Sequence, residues 1–430
     1  MCSALSPNAC SQKRLYQIGT VVYVSILVLH GTYFRTRVAA EVPIVDWYVI
    51  ARLAMCSIGF ILGLRLTPRH IARGFGFKVS LCYVLATVVS ATTSPYRGTV
   101  IGYCILLTGA YFLMTGLVYA AENPSQLERL ERLWWVTISI LIAKDVATFI
   151  LLPGLHPISE SGGSRWGMGV THANQISMYA GIAFWLSFRG QKAKMPGILW
   201  LIRGFLFLVM IQAVSRVSLM AWLLAGFCYS FYANRNYILR FVLIPASIAI
   251  VAFFMLNLSL EAGWSNRIAH YATRGQDKEG LSSFTGRTRI WKHVLRKVPQ
   301  SPLIGHGYGV SRLTMGPISG WDFRPSHCHN EFLEISFNTG FLGLASFLGM
   351  LFYSSKWLRQ HMMLRRAFSK DTAIHAACVI TMLLLASMFE DRIGSKLSPI
   401  QPLFFLYLLA LDRADDFYKR SAQLNLTGGE

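Results

Sequence analysis

A chain of 430 residues that is 53% hydrophobic and only 14% charged, with mean hydropathy +0.43, carries more apolar surface than a soluble core of this size could bury. That excludes a soluble globular fold and makes lipid the expected solvent. The basic excess, 41 Lys and Arg against 20 Asp and Glu, reflects membrane topology and an anionic ligand, with nucleic acid not an expected partner.

Apolar runs of about 20 residues cross a hydrocarbon core about 30 Å thick, and roughly twelve of them can be placed here. In chain order they are 15–34, 44–64, 75–93, 98–121, 132–152, 173–188, 197–214, 217–233, 238–256, 332–354, 372–389 and 399–411. The sixth and the last are short, and the last contains Pro399 and Pro402. The first follows Lys13 and Arg14 and resembles a signal peptide, but Arg35 and Arg37 beside a poor cleavage site argue for an uncleaved signal anchor.

Short cytoplasmic loops accumulate Lys and Arg. One set of alternate connections, counted with Lys78, Arg132 and Arg240 just inside the adjoining spans, holds 21 of them, whereas the short connections on the opposite side hold only Arg35, Arg37, Arg97, Arg165, Arg216, Arg392 and Lys396. Both termini are therefore expected in the cytoplasm. The organisation expected is one transmembrane domain, 1–430, with an outer loop, 257–331, inserted between spans nine and ten. That loop carries ten basic residues on the side that the topology rule leaves poor in them. The inner connection 355–371, with Lys356, Arg359, Arg365, Arg366 and Lys370, reads as a headgroup anchor.

Inside the spans Arg52, Lys144, Asp145 and Arg203 are costly unless they face the bundle interior or water. Arg203 is near enough to the inner face to snorkel, while Lys144 and Asp145, being adjacent, are each expected to find a partner elsewhere. Of the eight cysteines only Cys328 lies in the outer loop, and no disulfide framework is implied.

The chemistry-bearing segments all fall in outer connections. Ser164-Arg165-Trp166-Gly167 leads through His172 and Asn174 into span six, where a helix N-terminus beside an arginine suits a phosphate. Ser215-Arg216 forms the sharp turn between spans seven and eight. In the long loop Ile290, Trp291, Val294, Leu295 and Val298 recur at helical spacing, with Arg287, Arg289, Lys292, Arg296 and Lys297 between them. A basic amphipathic helix ending at Pro299 follows, placed either on the membrane surface or against the bundle. Gly305-His306-Gly307-Tyr308-Gly309 permits a tight turn or a close approach to a ligand. His327-Cys328-His329-Asn330-Glu331 stands where the loop re-enters the membrane, and an imidazole there could take a proton from an attacking hydroxyl. Two histidines with Glu331 nearby could instead bind a metal.

This set resembles the O-antigen ligase family, whose signature is shared with O-antigen polymerases and bacterial protein O-oligosaccharyltransferases. The matching pieces are Arg165-Trp-x-Gly with His172-x-Asn174, Ser215-Arg216, Gly286-Arg287-x-x-Ile290-Trp291, Pro302-x-x-Gly305-x-Gly307-x-Gly309, and His329-Asn330-x-x-Leu333-Glu334 with Gly340-x-x-Gly343. They run from about residue 160 to 345, and the four N-terminal spans match only in hydropathy.

The resemblance implies an all-α, polytopic GT-C type glycosyltransferase of about twelve transmembrane helices, with a long, mostly helical periplasmic loop. It implies an inner-membrane enzyme that needs no metal or other cofactor and works on the periplasmic side. The donor would be O-antigen on undecaprenyl diphosphate and the acceptor lipid A-core oligosaccharide, both drawn from the surrounding membrane lipids. His329 would be the general base. Arg216 and Arg287 would bind the diphosphate, with Arg165, Arg289 and Arg324 as further candidates, and Asn330, Glu331 and His327 would orient or support. An O-antigen polymerase is the nearest rival. A flippase for lipid-linked oligosaccharide is a rival of another class, and it would need charge through the membrane rather than at its outer end.

Overall fold

The computed structural model describes residues 7–31, 47–68, 74–151, 173–188, 196–213, 215–233, 287–318, 325, 327–364, 370–393 and 397–427. Among the described residues every regular element is helical. The long helices are α1 (Pro7–Gly31), α2 (Trp47–Leu66), α3 (Phe75–Val89, prolonged by a 3-10 turn to Thr92), α4 (Arg97–Ala120), α5 (Pro124–Leu151), α6 (Ala173–Leu186), α7 (Pro196–Gln212) and α8 (Arg216–Ala233). After them come α9 (Arg287–Lys297), the single turn α10 (Ser311–Thr314), α11 (Glu331–Leu364), α12 (Lys370–Ser387) and α13 (Ile400–Thr427).

Each expected span that falls on described residues coincides with a helix. The ninth, 238–256, lies outside them, as do the loop residues 257–286 and the connection 153–172. Five described helical segments are long and apolar enough to cross a membrane: Trp47–Leu66, Phe75–Thr92, Arg97–Ala120, Pro124–Leu151 and Glu331–Lys356. The chain is thus a membrane protein, all-helical among the described residues.

Two sequence expectations change in detail. Helix α5 starts well before residue 132, because Asn123 Oδ1 accepts the Gln126 N–H at 3.2 Å and Leu127, Leu130 and Trp134 are buried on one face. A capped amphipathic turn therefore precedes the apolar run. Lys144 and Asp145 pair with each other although adjacent: Lys144 Nζ lies 2.9 Å from Asp145 Oδ1. The flexible lysine stem folds back on its neighbour, a reach that helical spacing alone hides. Arg203 donates to Ser187 Oγ and to the Ser187 carbonyl at 2.9 Å each while covering the Phe188 ring.

Helix α2 lies backbone to backbone on α4. A Cβ on Gly63 would stand 2.1 Å from the Phe112 carbonyl oxygen, and one on Gly109 would stand 2.1 Å from that of Cys56. Small residues allow that approach where apolar side chains find lipid as good a solvent as each other.

The feature that positions the site is an interruption in α11. Gly340 leaves helical geometry at φ 63, ψ −159, and residues 302–307 insert into the break. His306 N–H and Gly307 N–H donate to the carbonyls of Phe337 and Asn338 at 2.9 and 3.0 Å, and Phe341 N–H and Leu342 N–H donate to those of Pro302 and Leu303 at 2.8 and 3.1 Å. Backbone groups that the helix can no longer pair are thus satisfied by a second strand of chain. The glycine-rich turn does make a close approach, but to another backbone. Thr93 Oγ1 donates to the Gly305 carbonyl at 2.7 Å, and Tyr308 N–H donates to Ser90 Oγ at 3.0 Å, so the plug is tied to the end of α3.

At the other end of the bundle Asp412 of α13 accepts Gly76 N–H at 3.0 Å and Phe77 N–H at 2.7 Å, capping α3. It also accepts the hydroxyls of Tyr119 at 3.1 Å and Tyr353 at 2.7 Å. One carboxylate therefore ties α3, α4, α11 and α13 together.

A Cβ on Gly305 would meet the Asn338 carbonyl carbon at 2.4 Å and one on Gly340 would meet that of Leu303 at 2.3 Å, both at positive φ. Gly340→Ala and Gly305→Ala should each cost at least about 1–3 kcal/mol, read as a lower melting temperature in detergent. Gly98→Ala, where nothing stands within 4 Å of the added carbon, should melt at or above the wild-type temperature.

Candidate active site

Five helix ends meet where the loop returns to α11. Asn330 caps α11, its Oδ1 accepting the Leu333 N–H at 3.0 Å, and its Nδ2 donates to the Met388 carbonyl at 2.9 Å. In the first turn Glu331 Oε2 accepts the N–H of Ile393 at 2.8 Å and also that of Arg392. The start of α11 therefore grips the turn that follows α12.

Glu334, also buried, accepts the Ser311 hydroxyl, Asn338 Nδ2 at 2.9 Å and Cys328 N–H at 2.8 Å. It ties α10 and the re-entry segment to the same helix. Helix α9 docks by Ile290 and Val294 onto Met315, Ile318, Cys328 and Phe337, and Trp291 Nε1 donates to the Cys328 carbonyl at 2.9 Å. This chooses between the two placements expected of the amphipathic helix: it lies against the bundle, with Arg289, Lys292 and Arg296 exposed and Arg287 turned inward.

Within this frame sits a cluster of charge around Glu390. Its Oε1 accepts Arg287 from α9 at 2.8 Å and Asn174 Nδ2 from the start of α6 at 2.7 Å. Its Oε2 faces His329 Nδ1 and an Arg392 guanidinium nitrogen, both at 3.7 Å. Beside it His327 Nδ1 pairs with Asp391 Oδ1 at 2.8 Å, and the two imidazoles lie 3.9 Å apart between ring centres. His329 is the one described non-glycine residue at positive φ, 51°. Such a conformation costs about 1–2 kcal/mol, and here it turns the ring towards Glu390.

The two histidines are driven in opposite directions. Burial works against a charge on His327, but the Asp391 carboxylate outweighs it and pushes the imidazole up to about 9. Burial also acts on His329, and the neighbouring charges of His327 and Arg287 add to it, so that its pKa falls below the ordinary value in spite of Glu390. Burial opposes the charge of Glu390, yet His329, Arg392 and Arg287 hold its carboxyl well below the usual range. At neutral pH the pair is thus an imidazolium and a neutral imidazole, and groups whose environments separate them in this way are suited to acid and base work.

His329, Asn330, Glu331, His327 and Arg287 are brought together. Arg216, half-buried, opens α8 next to Ser215, whose hydroxyl bonds Ser218 at 2.9 Å. Ser218 in turn donates to the Asn174 carbonyl at 3.4 Å, which puts the start of α8 one residue from the Glu390 cluster. Arg289 is not brought in: two positions after Arg287 on a helix, it stands about 200° around the axis. Arg165 and Arg324 lie outside the described residues.

One donor atom each from His327, His329 and Glu390 fall within 4.8 Å of one another, a spacing that could hold a cation. The charges around them work against one, since Arg287 and Arg392 flank Glu390 and His327 carries a proton on the Asp391 side. Glu390 and Asp391 were missed in the sequence. Their one signal is an adjacent acidic pair in the short connection between α12 and α13.

Part of the chain is similar to known proteins. Residues 176–348 match the family described as O-Antigen ligase, so the resemblance read from the motifs is shown over that region. A "Putative polysaccharide ligase" of Rickettsia bellii (strain RML369-C) is 33% identical over 82 residues, 17% of this chain and 19% of that protein. The match thus spans about a fifth of the relative's length. Glu390, Asp391 and Arg392 lie beyond the region matched to the family.

Asp391→Asn removes the charge that protonates His327 while leaving its burial, so the imidazole should become neutral at pH 7.5. Ring 15N spectra of histidine-labelled protein, with His327→Gln used for assignment, should show that change; a ring still doubly protonated would contradict the pairing.

Proposed function

With residues 176–348 matched to O-antigen ligases, we propose that the chain is a glycosyltransferase of the inner membrane that completes lipopolysaccharide. It moves O-antigen glycan from undecaprenyl diphosphate to the lipid A-core oligosaccharide. About twelve spans hold both termini in the cytoplasm, and the Glu390 cluster opens to the periplasm. The observation that carries this reading is a half-buried imidazole, His329, disfavoured from taking a charge and presented beside the Arg287 and Arg392 guanidiniums that flank Glu390.

In the reaction an acceptor hydroxyl attacks the anomeric carbon from the face opposite the diphosphate. The new oxygen–carbon bond forms as the bond from that carbon to the phosphate oxygen breaks, with inversion. His329 takes the hydroxyl proton, and the leaving electron pair stays on the diphosphate. Arg287 and Arg216 neutralise the growing charge with planar forks suited to paired oxygens. Asn330 and Glu331 hold the segment that carries His329, and charged His327 keeps its neighbour unprotonated. Arg165, Arg289 and Arg324 extend the basic surface that draws anionic lipids to the site. Guanidinium countercharge takes the place of a metal, and the mechanism needs no cofactor.

Purified protein given undecaprenyl diphosphate-linked O-antigen and lipid A-core should form the joined product, undiminished by EDTA. His329→Ala should lose about 10²–10⁴ in rate. Product formed only on a second lipid-linked repeat would make the chain a polymerase instead, and wild-type transfer abolished by EDTA would sink the metal-free route. As pH falls, kcat/KM should fall with an inflection below about 6.5, the ordinary histidine value, because the base works unprotonated and its pKa is lowered. An inflection above that value would point to another base.

A further inference from the structure

The mechanism above leaves Glu390 unused, although Arg287, Asn174, His329 and Arg392 all surround its carboxylate. Its two oxygens are unequally employed. Oε1 holds Arg287 at 2.8 Å and Asn174 at 2.7 Å, whereas Oε2 stands 3.7 Å from both His329 Nδ1 and Arg392. Those two neighbours are left incomplete: among the described residues His329 Nδ1 and Arg392 Nε are buried with no hydrogen-bond partner. A buried donor without a partner costs about 1–3 kcal/mol, and both stand beside the oxygen that could satisfy them.

The carboxylate is therefore shared between two tasks, and its position favours one of them. It serves as counter-anion to Arg287, the arginine assigned to the diphosphate, and falls short of the imidazole assigned as base. A diphosphate entering the site offers the guanidiniums of Arg287 and Arg392 more charge and paired oxygens, which a single carboxylate oxygen cannot match. Once released from Arg287, Glu390 needs to move only about an ångström to come within ordinary hydrogen-bond length of His329 Nδ1. A carboxylate there would hold the proton on Nδ1 and leave Nε2 to accept the one from the acceptor hydroxyl.

We propose that Glu390 is an exchangeable counter-anion: it holds Arg287 and Arg392 in the empty site, yields both to the donor's diphosphate, and then positions His329. The proposal rests on the assignments of His329 and Arg287 made above. It makes Arg392 a further diphosphate-binding residue and Glu390 a positioning residue that readies the base only when donor is present.

Glu390→Gln tests it, because the amide oxygen can keep the Asn174 bond while the charge is lost. Binding of undecaprenyl diphosphate to the detergent-purified variant should tighten on the order of tenfold, the worth of one competing charge-assisted contact. At saturating donor kcat should fall on the order of ten- to a hundredfold. A carboxylate that merely braced Arg287 would give weaker binding together with lower kcat, and that result overturns the proposal. In an Arg287→Ala background Glu390→Gln should tighten undecaprenyl diphosphate binding less, because only Arg392 is left to compete for, and equal tightening there would also overturn it. If the variant does not fold, the wild-type protein still decides. The ring 15N signal of His329 Nδ1, assigned with His329→Gln, should shift to a hydrogen-bonded value on adding undecaprenyl diphosphate, and an unmoved signal refutes the exchange. His329→Ala retaining transfer, or Arg287→Ala binding the diphosphate normally, would instead remove the reading beneath it.

Discussion

A helix broken inside an apolar surrounding must find partners for the backbone groups it frees, and the break at Gly340 sets the terms for everything at that end of the bundle. Residues 302–307 supply two donors and two acceptors to the gap. Gly305 and Gly340 can lie face to face only because neither has a Cβ. The same chain segment that fills the gap leads from α9 to α10, so the plug also fixes where the basic helix ends. Because Phe337 and Asn338 are held by it, the preceding turns of α11 can present Glu331 and Glu334 as fixed acceptors rather than as mobile surface acids.

Those acids show how charge is carried in this region. Glu331, Glu334 and Glu390 are each buried, which is tolerable only with full hydrogen bonding or a cationic partner. Glu331 and Glu334 are satisfied mainly by backbone N–H, hydroxyl and amide groups, and so fix geometry. Glu390 and Asp391 are satisfied by arginines and a histidine, so they balance charge and set protonation. Architecture and chemistry are thereby divided among neighbouring carboxylates according to the partners each one has.

Hydropathy made the helices legible because a membrane-spanning helix must be continuously apolar, and the expected spans on described residues all coincide with helices. The break at Gly340 was not legible, since glycines are common inside spans and only the meeting with Gly305 gives this one its meaning. Adjacent Lys144 and Asp145 were misjudged because side-chain flexibility is invisible in helical spacing. At the site, Arg287, His327 and His329 could be read because basic residues and histidines are conspicuous in a long connection between apolar runs. Glu390 could not, because it is 61 positions from His329 and joined to it only by the fold, in a turn that on its own reads as a short connection.

The placement of His329 follows from combining these constraints. On the reading proposed above, a base for a sugar hydroxyl must be unprotonated, yet a site that receives a diphosphate must be positively charged, and a carboxylate tightly paired to the base in the absence of donor would raise its pKa. Here the positive charges of Arg287 and His327 disfavour protonation of His329, while the carboxylate that would favour it is held by Arg287. The same electrostatics therefore serve both needs: the field that suits an incoming anion is the one that keeps the imidazole free to accept a proton.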